Sequence, residues 1–374
     1  MPHIMKIICS KANLSTGVNI ALKAVPARTT MPILECLILK ANANHEIHLI
    51  ANDMEIGIDT VVEGMVMESG TVALDAKVFS DMVRKLPDND VTIEVDEAYK
   101  VSISCEKAHF VILGRSAEEF PGLPSVERDR QIVLSQFTLK ELIRQTVFSI
   151  SDNESNRIMT GELFEISGDS LRVVSLDGHR ISIRRTQLKQ EYPDSKVIVP
   201  GKTLVEISKI LSGETDQDVV VSFTGKHILF EMDGTLVVSR LIEGDYYKID
   251  QMLSSDYETK VTVNKKDFLS CIDRATLLIR ESEKKPIILT IQDGQMELKI
   301  QTMIGSMKED LDITMEGRDI MIGFNPKFLM DALRVIDDET VDIYLFNPKA
   351  PCFIKDADEN YIYLILPVNI SAAM

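Results

Sequence analysis

The chain has no tryptophan, only six histidines and no run of 18 apolar residues. The last absence excludes a transmembrane helix. Its five cysteines, Cys9, Cys36, Cys105, Cys271 and Cys352, are odd in number, scattered and never spaced as CxxC. That pattern speaks against a disulfide framework or a zinc site and for a reducing cytoplasmic setting. The N-terminus has Lys6 and Lys11 without a long apolar stretch between them, so no signal peptide is expected, and Met5 could serve as the start. Basic residues are in short supply: 41 Lys+Arg face 58 Asp+Glu, a formal charge of −17 over 374 residues. Such an acidic balance would ordinarily exclude a nucleic-acid partner. Hydrophobic residues make up 45% of the chain, enough for two or three domains with real cores and too many for a disordered protein.

What the chain does have is an internal repeat. Lys77–Leu86, Lys202–Leu211 and Lys327–Ile336 share one pattern at a constant spacing of 125 residues, one third of the chain. An earlier helix repeats as well: Leu14, Val18 and Leu22 recur as Leu139, Ile143 and Val147, with a looser third copy at Phe268 and Ile272. Between these helices lie short β-rich runs such as Val91–Val95, Lys100–Ser104, Val219–Phe223, Ile287–Ile291 and Val341–Leu345. Asp177-Gly178 is a turn signal between two such runs. Each unit therefore reads as two helices and about eight strands, an α+β fold with helices packed on antiparallel sheets. The boundaries predicted are residues 1–127, 128–253 and 254–374.

The second helix of each repeat carries basic, acidic and basic residues at i, i+4 and i+7, on one face. These are Lys77, Asp81 and Arg84; Lys202, Glu206 and Lys209; Lys327, Asp331 and Arg334. A solvated face with intrahelical pairs is the plain reading. Lys preceding the acid by four residues is, however, the less favourable order for such pairs. The six helix windows together hold +9, which leaves −26 for the rest of the chain. Basic helices on an acidic particle suit a phosphate backbone, bound without regard to sequence and sensitively to salt.

Catalytic signals are weak. Pro200-Gly201-Lys202-Thr203 resembles the end of a P-loop, but the required upstream glycine is replaced by Lys196. His45 and His48 flank Glu46 in a strand, where i and i+3 face opposite ways, so no metal site is expected. Asp177-Gly178-His179-Arg180 is the most chemical-looking cluster, yet no nucleophile elbow accompanies it. A hairpin turn explains Asp-Gly, and Gly-His-Arg beside apolar residues fits a ligand pocket better than a triad. No enzyme and no cofactor are expected.

Several segments, taken in order inside a threefold repeat, resemble the bacterial sliding clamps, the β subunits of DNA polymerase III. They are Thr30–Leu34, Glu119-Phe120-Pro121, Met159–Glu165, Leu176–Arg180, Val197–Pro200 and Leu364–Val368. The resemblance implies a head-to-tail homodimeric ring of six like domains, helices lining a hole through which double-stranded DNA passes. It places DNA contacts at Arg28, Arg157 and Lys202; the helix stripes add Lys77, Arg84, Lys209, Lys265, Lys266, Lys327 and Arg334. It also implies a pocket between the second and third domains for short peptides of the polymerase, the clamp loader and repair proteins. The matching positions are Met159, Leu176, Gly178, His179, Arg180, Ile181, Tyr247, Met252, Leu364, Leu366, Pro367 and Val368. Tyr246-Tyr247, Gln251 and the Ser371–Met374 tail depart from the family pattern and bear on peptide preference. Phe110 and Ile112 match one dimer surface, and Leu277 and Leu278 match its complement. The competing readings are an interaction scaffold without DNA, favoured by the −17 charge, and an enzyme using Asp177 and His179.

Overall fold

A computed structural model of the chain describes residues 3–214, 216–253, 256–280 and 285–370. Met1, the Ser371–Met374 tail and Ser254, where the third repeat was expected to begin, lie outside the described residues.

Six helices are present among the described residues: α1 (Lys11–Ala21), α2 (Ala76–Lys85), α3 (Gln136–Arg144), α4 (Gly201–Ser208), α5 (Lys265–Thr276) and α6 (Pro326–Val335). That is two per repeat, as expected. Their starts are written locally. Ser10 Oγ accepts from Asn13 N at the head of α1, and Asn264 Oδ1 from Asp267 N at the head of α5, both at 3.1 Å. Asp75 Oδ1 accepts from Val78 N (2.8 Å) before α2, and Asn325 Oδ1 from Lys327 N (3.0 Å) before α6. Short oxygen-bearing side chains satisfy amides that the first helical turn leaves unpaired, and Pro326 sits where no amide is needed.

The strands form sheets of five, eight and ten members, antiparallel throughout. The chain divides into two compact units, residues 1–137 with 206–241 and residues 138–205 with 242–374. The division cuts the second repeat in two, because the sheets run across repeat borders. In the first unit, Thr235–Arg240 of repeat two pairs with Ile56–Val62 of repeat one, and the Thr60 and Thr235 hydroxyls meet at 2.7 Å in the interior. In the second unit, Arg180–Pro200 of repeat two pairs with Tyr361–Ile365 of repeat three. Closing sheet edges across repeats hides backbone groups that an isolated repeat would expose.

Strand lengths differ from the short runs expected around the Asp177 turn. The hairpin consists of Gly161–Leu176 and Arg180–Pro200, strands of 16 and 21 residues that hold register except for shifts around Gly168. Elsewhere alternation is regular: in Lys100–Cys105 every second side chain is buried, the period of a half-buried strand.

The repeats can be superposed in register. Leu37 pairs with Leu74, Glu162 with Val199 and Ile287 with Phe324, each step 125 residues along the chain. Leu37, Glu162 and Ile287 are all fully buried. Only repeat two places a carboxyl at this core position. Burial pushes the Glu162 carboxyl well above the usual carboxylate range, and the Thr146 hydroxyl, whose proton goes to Leu142 O at 2.6 Å, acts on it only weakly.

All five cysteines are buried and unpaired. Burial lifts the Cys9 and Cys271 thiols to about 12, so neither forms the reactive thiolate at neutral pH.

Candidate functional site

The second unit assembles the pocket positions. Leu176, Ile181 and Leu364 belong to one buried apolar cluster with Leu163, Val174, Ile242, Ile249 and Phe353, and Met159 and Tyr246 pack on it from the side. Strand pairing accounts for this: Ile181 stands opposite both Leu176 and Leu364. The rim is apolar and open. Tyr247, Met252, Leu366 and Val368 are between 38% and 50% exposed, high for side chains of this kind. Backbone bonds hold the rim: Leu366 N donates to His179 O at 2.9 Å and Val368 N to Gly323 O at 2.8 Å. Asn156 links two sides, its carbonyl accepting from Met159 N (3.0 Å) and its amide donating to the Tyr247 hydroxyl (2.7 Å). An apolar floor with a few directed polar groups is the usual make-up of a site for peptides or small ligands.

The Asp177–Arg180 turn has no catalytic geometry. Asp177 Oδ1 accepts from His179 N (2.9 Å) and Arg180 N (3.1 Å), while the His179 ring stands 4.0 Å from it, beyond hydrogen-bond reach. Gly178 adopts φ +88°, where glycine is unstrained. Repeat one builds the same turn from Asp53-Met54-Glu55-Ile56. Asp53 Oδ1 accepts from Glu55 N and Ile56 N at 2.9 and 2.7 Å, and Met54 takes φ +76°. The motif is thus turn chemistry common to two repeats, not an acid–base pair.

Arg180 is the distinctive element. Its side chain is 6% exposed. Nε donates to Asp177 Oδ2 (3.0 Å), Nη1 to Asp331 Oδ2 (2.7 Å) and Nη2 to Phe148 O (2.5 Å). Its guanidinium carbon lies 4.6 Å from the Phe328 ring centroid and 5.4 Å from that of Phe148. Two carboxylates, a carbonyl and two ring faces match the five donors and flat faces of a guanidinium. Phe148 and Phe328 had no sequence signal beyond being apolar. Asp331 had one, its place four residues after Lys327, with which it pairs at 2.9 Å, but nothing in that spacing pointed to Arg180.

The charged stripes on α2, α4 and α6 need correction at that residue. On α2, Lys77, Asp81 and Arg84 are all exposed, with Arg84 3.4 Å from Asp81. Lys202 and Lys209 are exposed near α4, and Lys209 donates to Glu206 at 2.7 Å. On α6, Lys327 and Arg334 are exposed, whereas Asp331 is turned inward to Arg180. Arg28 and Arg157 are exposed in segments outside the six helices. Lys266 is exposed at the start of α5; its neighbour Lys265 is half-buried, and Nζ donates to the Ile336 carbonyl at 2.6 Å. That ammonium is committed inside the fold.

Phe110 and Ile112 lie half-buried on Ala108–Leu113, the edge strand of the five-stranded sheet, which also exposes Val111 and Leu113. Leu277 follows α5 and is 78% exposed, while Leu278 packs on the repeat-three core. An apolar edge strand invites a partner strand.

In the first unit, a groove of about 420 Å³ is lined by His48, Asp59, Asp218, Glu231 and Asp233. Three of its carboxylates are engaged: Glu231 by Arg128, Asp233 by Gln136 and Asp59 by His48. No cluster of described residues could hold a metal ion.

Comparison with known proteins covers the whole length. Family models for the DNA polymerase III beta subunit match its N-terminal domain at residues 5–124, its central domain at 133–248 and its C-terminal domain at 250–369. The beta sliding clamp of Staphylococcus aureus is 34% identical over 377 residues, covering 98% of this chain and all of that one. A crystal structure described as a DNA polymerase III beta subunit from Eubacterium rectale is 65% identical, with a TM-score of 0.94 and coverage of 98% and 99%. The DnaN sliding clamp of Bartonella birtlesii, solved bound to griselimycin, is 27% identical with a TM-score of 0.90 and covers 98% of this chain and all of its own. The chain belongs to the bacterial DNA polymerase III β-subunit family, the sliding clamps.

Proposed function

We propose that this chain is the processivity clamp of a replicative DNA polymerase, a non-enzymatic ring that tethers partner proteins to DNA. Two copies close head to tail around duplex DNA. The three repeats act as clamp domains over residues 1–127, 128–253 and 254–374. The observation that carries this reading is the periodicity of the fold, one helix and a shared strand register recurring every 125 residues and a second helix recurring after 125 and 129, together with family matches along its full length. Charge supports it: the helices are net positive on a chain of −17. A ring needs only weak, sequence-blind contacts, because retention comes from topology while the contacts stay loose enough to slide.

In this reading Arg28, Lys77, Arg84, Arg157, Lys202, Lys209, Lys266, Lys327 and Arg334 meet phosphates. Phe110 and Ile112 of one copy meet Leu277 and Leu278 of the other, two unlike patches that make the heterologous interface a closed ring requires. The pocket around Arg180 takes short peptides of the polymerase, the clamp loader and repair proteins. The clamp works in the cytoplasm; no described helix is long and apolar enough to cross a membrane. The scaffold alternative explains the overall acidity but gives no reason for basic helices.

The test is topological. The protein is loaded on nicked circular DNA by its clamp loader with ATP, the complex is isolated, and the circle is cut once. The expected result is loss of the protein from the linear ends. Equal retention on circle and line would mean that it grips by contact, and failure of an active loader to place it on DNA would favour the scaffold.

A further inference from the structure

One oxygen of Asp331 serves two cations. Arg180 Nη1 donates to Asp331 Oδ2 at 2.7 Å, and Lys327 Nζ donates to the same Oδ2 at 2.9 Å. The carboxylate is 14% exposed, the arginine 6% and the lysine 68%. Asp331 therefore joins a buried group of the pocket to an open group of the basic stripe on α6.

From Arg180 the connection runs on by hydrogen bonds. Its Nε holds Asp177 Oδ2, the other oxygen of Asp177 caps the Gly178 turn, and the His179 carbonyl of that turn accepts from Leu366 N on the pocket rim. Phe328, one residue after Lys327, stacks against the guanidinium and lies 6.0 Å from the His179 ring. Every member of this chain lies in the second unit.

We propose that Asp331 is a positioning residue for the peptide pocket and that Lys327, by competing with Arg180 for its one oxygen, links phosphate contact on α6 to pocket affinity. The proposal rests on the clamp reading above. A phosphate that draws Lys327 away leaves Asp331 to Arg180 alone. The largely buried Arg180–Asp331 pair is screened less than the exposed lysine, so the arginine and the turn it braces are then held more firmly. A pocket held in its binding geometry binds more tightly, and the linkage is reciprocal: an occupied pocket favours phosphate at Lys327.

The probe is griselimycin, which the Bartonella birtlesii clamp holds, titrated calorimetrically into the full-length dimer. Lys327→Met removes the competitor and is expected to tighten binding by about three- to tenfold. Asp331→Asn keeps the shape but not the charge and is expected to weaken it by about tenfold. On the Asp331→Asn background Lys327→Met should change nothing, a non-additivity that a merely structural role would not produce. Wild-type clamp loaded on nicked circular DNA should show the same tightening as Lys327→Met, and the loaded Lys327→Met clamp no more. Equal affinity of wild type and Lys327→Met, or an effect that persists without the Asp331 charge, overturns the proposal. If Asp331→Asn does not fold, the DNA-loaded comparison with Lys327→Met decides alone. Leu366→Arg on the open rim separates the two readings: unchanged griselimycin affinity there would defeat the pocket itself and the coupling with it, whereas lost affinity beside an inert Lys327→Met defeats only the coupling.

Discussion

Replacing Glu162 with isoleucine, the residue that repeat three carries at the same register position as Ile287, is expected to stabilise the protein by about 2–3 kcal/mol at pH 8. The apparent unfolding midpoint should rise by roughly 4–10 °C. Glu162 is fully buried, and the Thr146 hydroxyl that acts on it spends its proton on Leu142 O rather than on the carboxyl. Burial raises its carboxyl well above the ordinary value of 4.5, so the folded state holds it neutral. The unfolded chain, by contrast, ionises it near that ordinary value. Above pH ~4.5 the unfolded state thus binds fewer protons than the native state, and stability falls by about 1.4 kcal/mol per pH unit until the folded group itself titrates. The wild-type penalty is absent below the unfolded value and grows as pH rises. The gain from Glu162→Ile should therefore be small at pH 4.5 and large at pH 8. Scanning calorimetry at both values checks this; an equal gain at the two would remove the titration account, and a lower midpoint at both would show that the carboxyl has a partner in the fold.

Arg180→Ala is expected to act on both stability and binding. It leaves Asp177 and Asp331, at 15% and 14% side-chain exposure, and the Phe148 carbonyl without their donor. Removing one partner of a buried ion pair costs about 3–5 kcal/mol, because the charge left behind has lost its water as well as its counter-ion. The brace of the Gly178 turn goes with it, so griselimycin affinity should fall by about 100-fold or more. Arg180→Lys should recover little of either, since an ammonium cannot serve two carboxylates and a carbonyl while lying flat between two rings. Denaturant titration and calorimetric binding of the same variants test both effects. A stable Arg180→Ala protein that binds with wild-type affinity would show that the buried pair neither supports the fold nor shapes the pocket.

Local and periodic features were legible in the chain. The helix caps Ser10, Asp75, Asn264 and Asn325 act within three residues of themselves, which makes them short-range chemistry. The 125-residue repeat predicted two helices per unit and matched strand positions, because three copies of one fold must bury the same positions. Asp177-Gly178 marked its turn, since a positive φ at Gly178 and an aspartate that caps it are short-range chemistry.

Long-range pairing was not legible. Thr60 with Thr235, and Arg180 with Asp331, are 175 and 151 residues apart, and nothing at either end announces the other. Asp331 and Lys265 read from helical spacing as members of solvated stripes. The fold turned Asp331 to a buried guanidinium and Lys265 to the carbonyl of Ile336, because each found a fixed, partly desolvated partner near its own helix. Sequence by itself thus determined the repeat, the two helices of each unit, the balance of charge and the family. Tertiary structure alone decided which charges face inward, how sheets join neighbouring repeats, and that one carboxylate oxygen lies between the pocket and the basic stripe. The physical reason is range: caps, turns and periodic burial are set by neighbours a few residues away, whereas a buried ion pair exists only once distant strands and helices have removed the water around it.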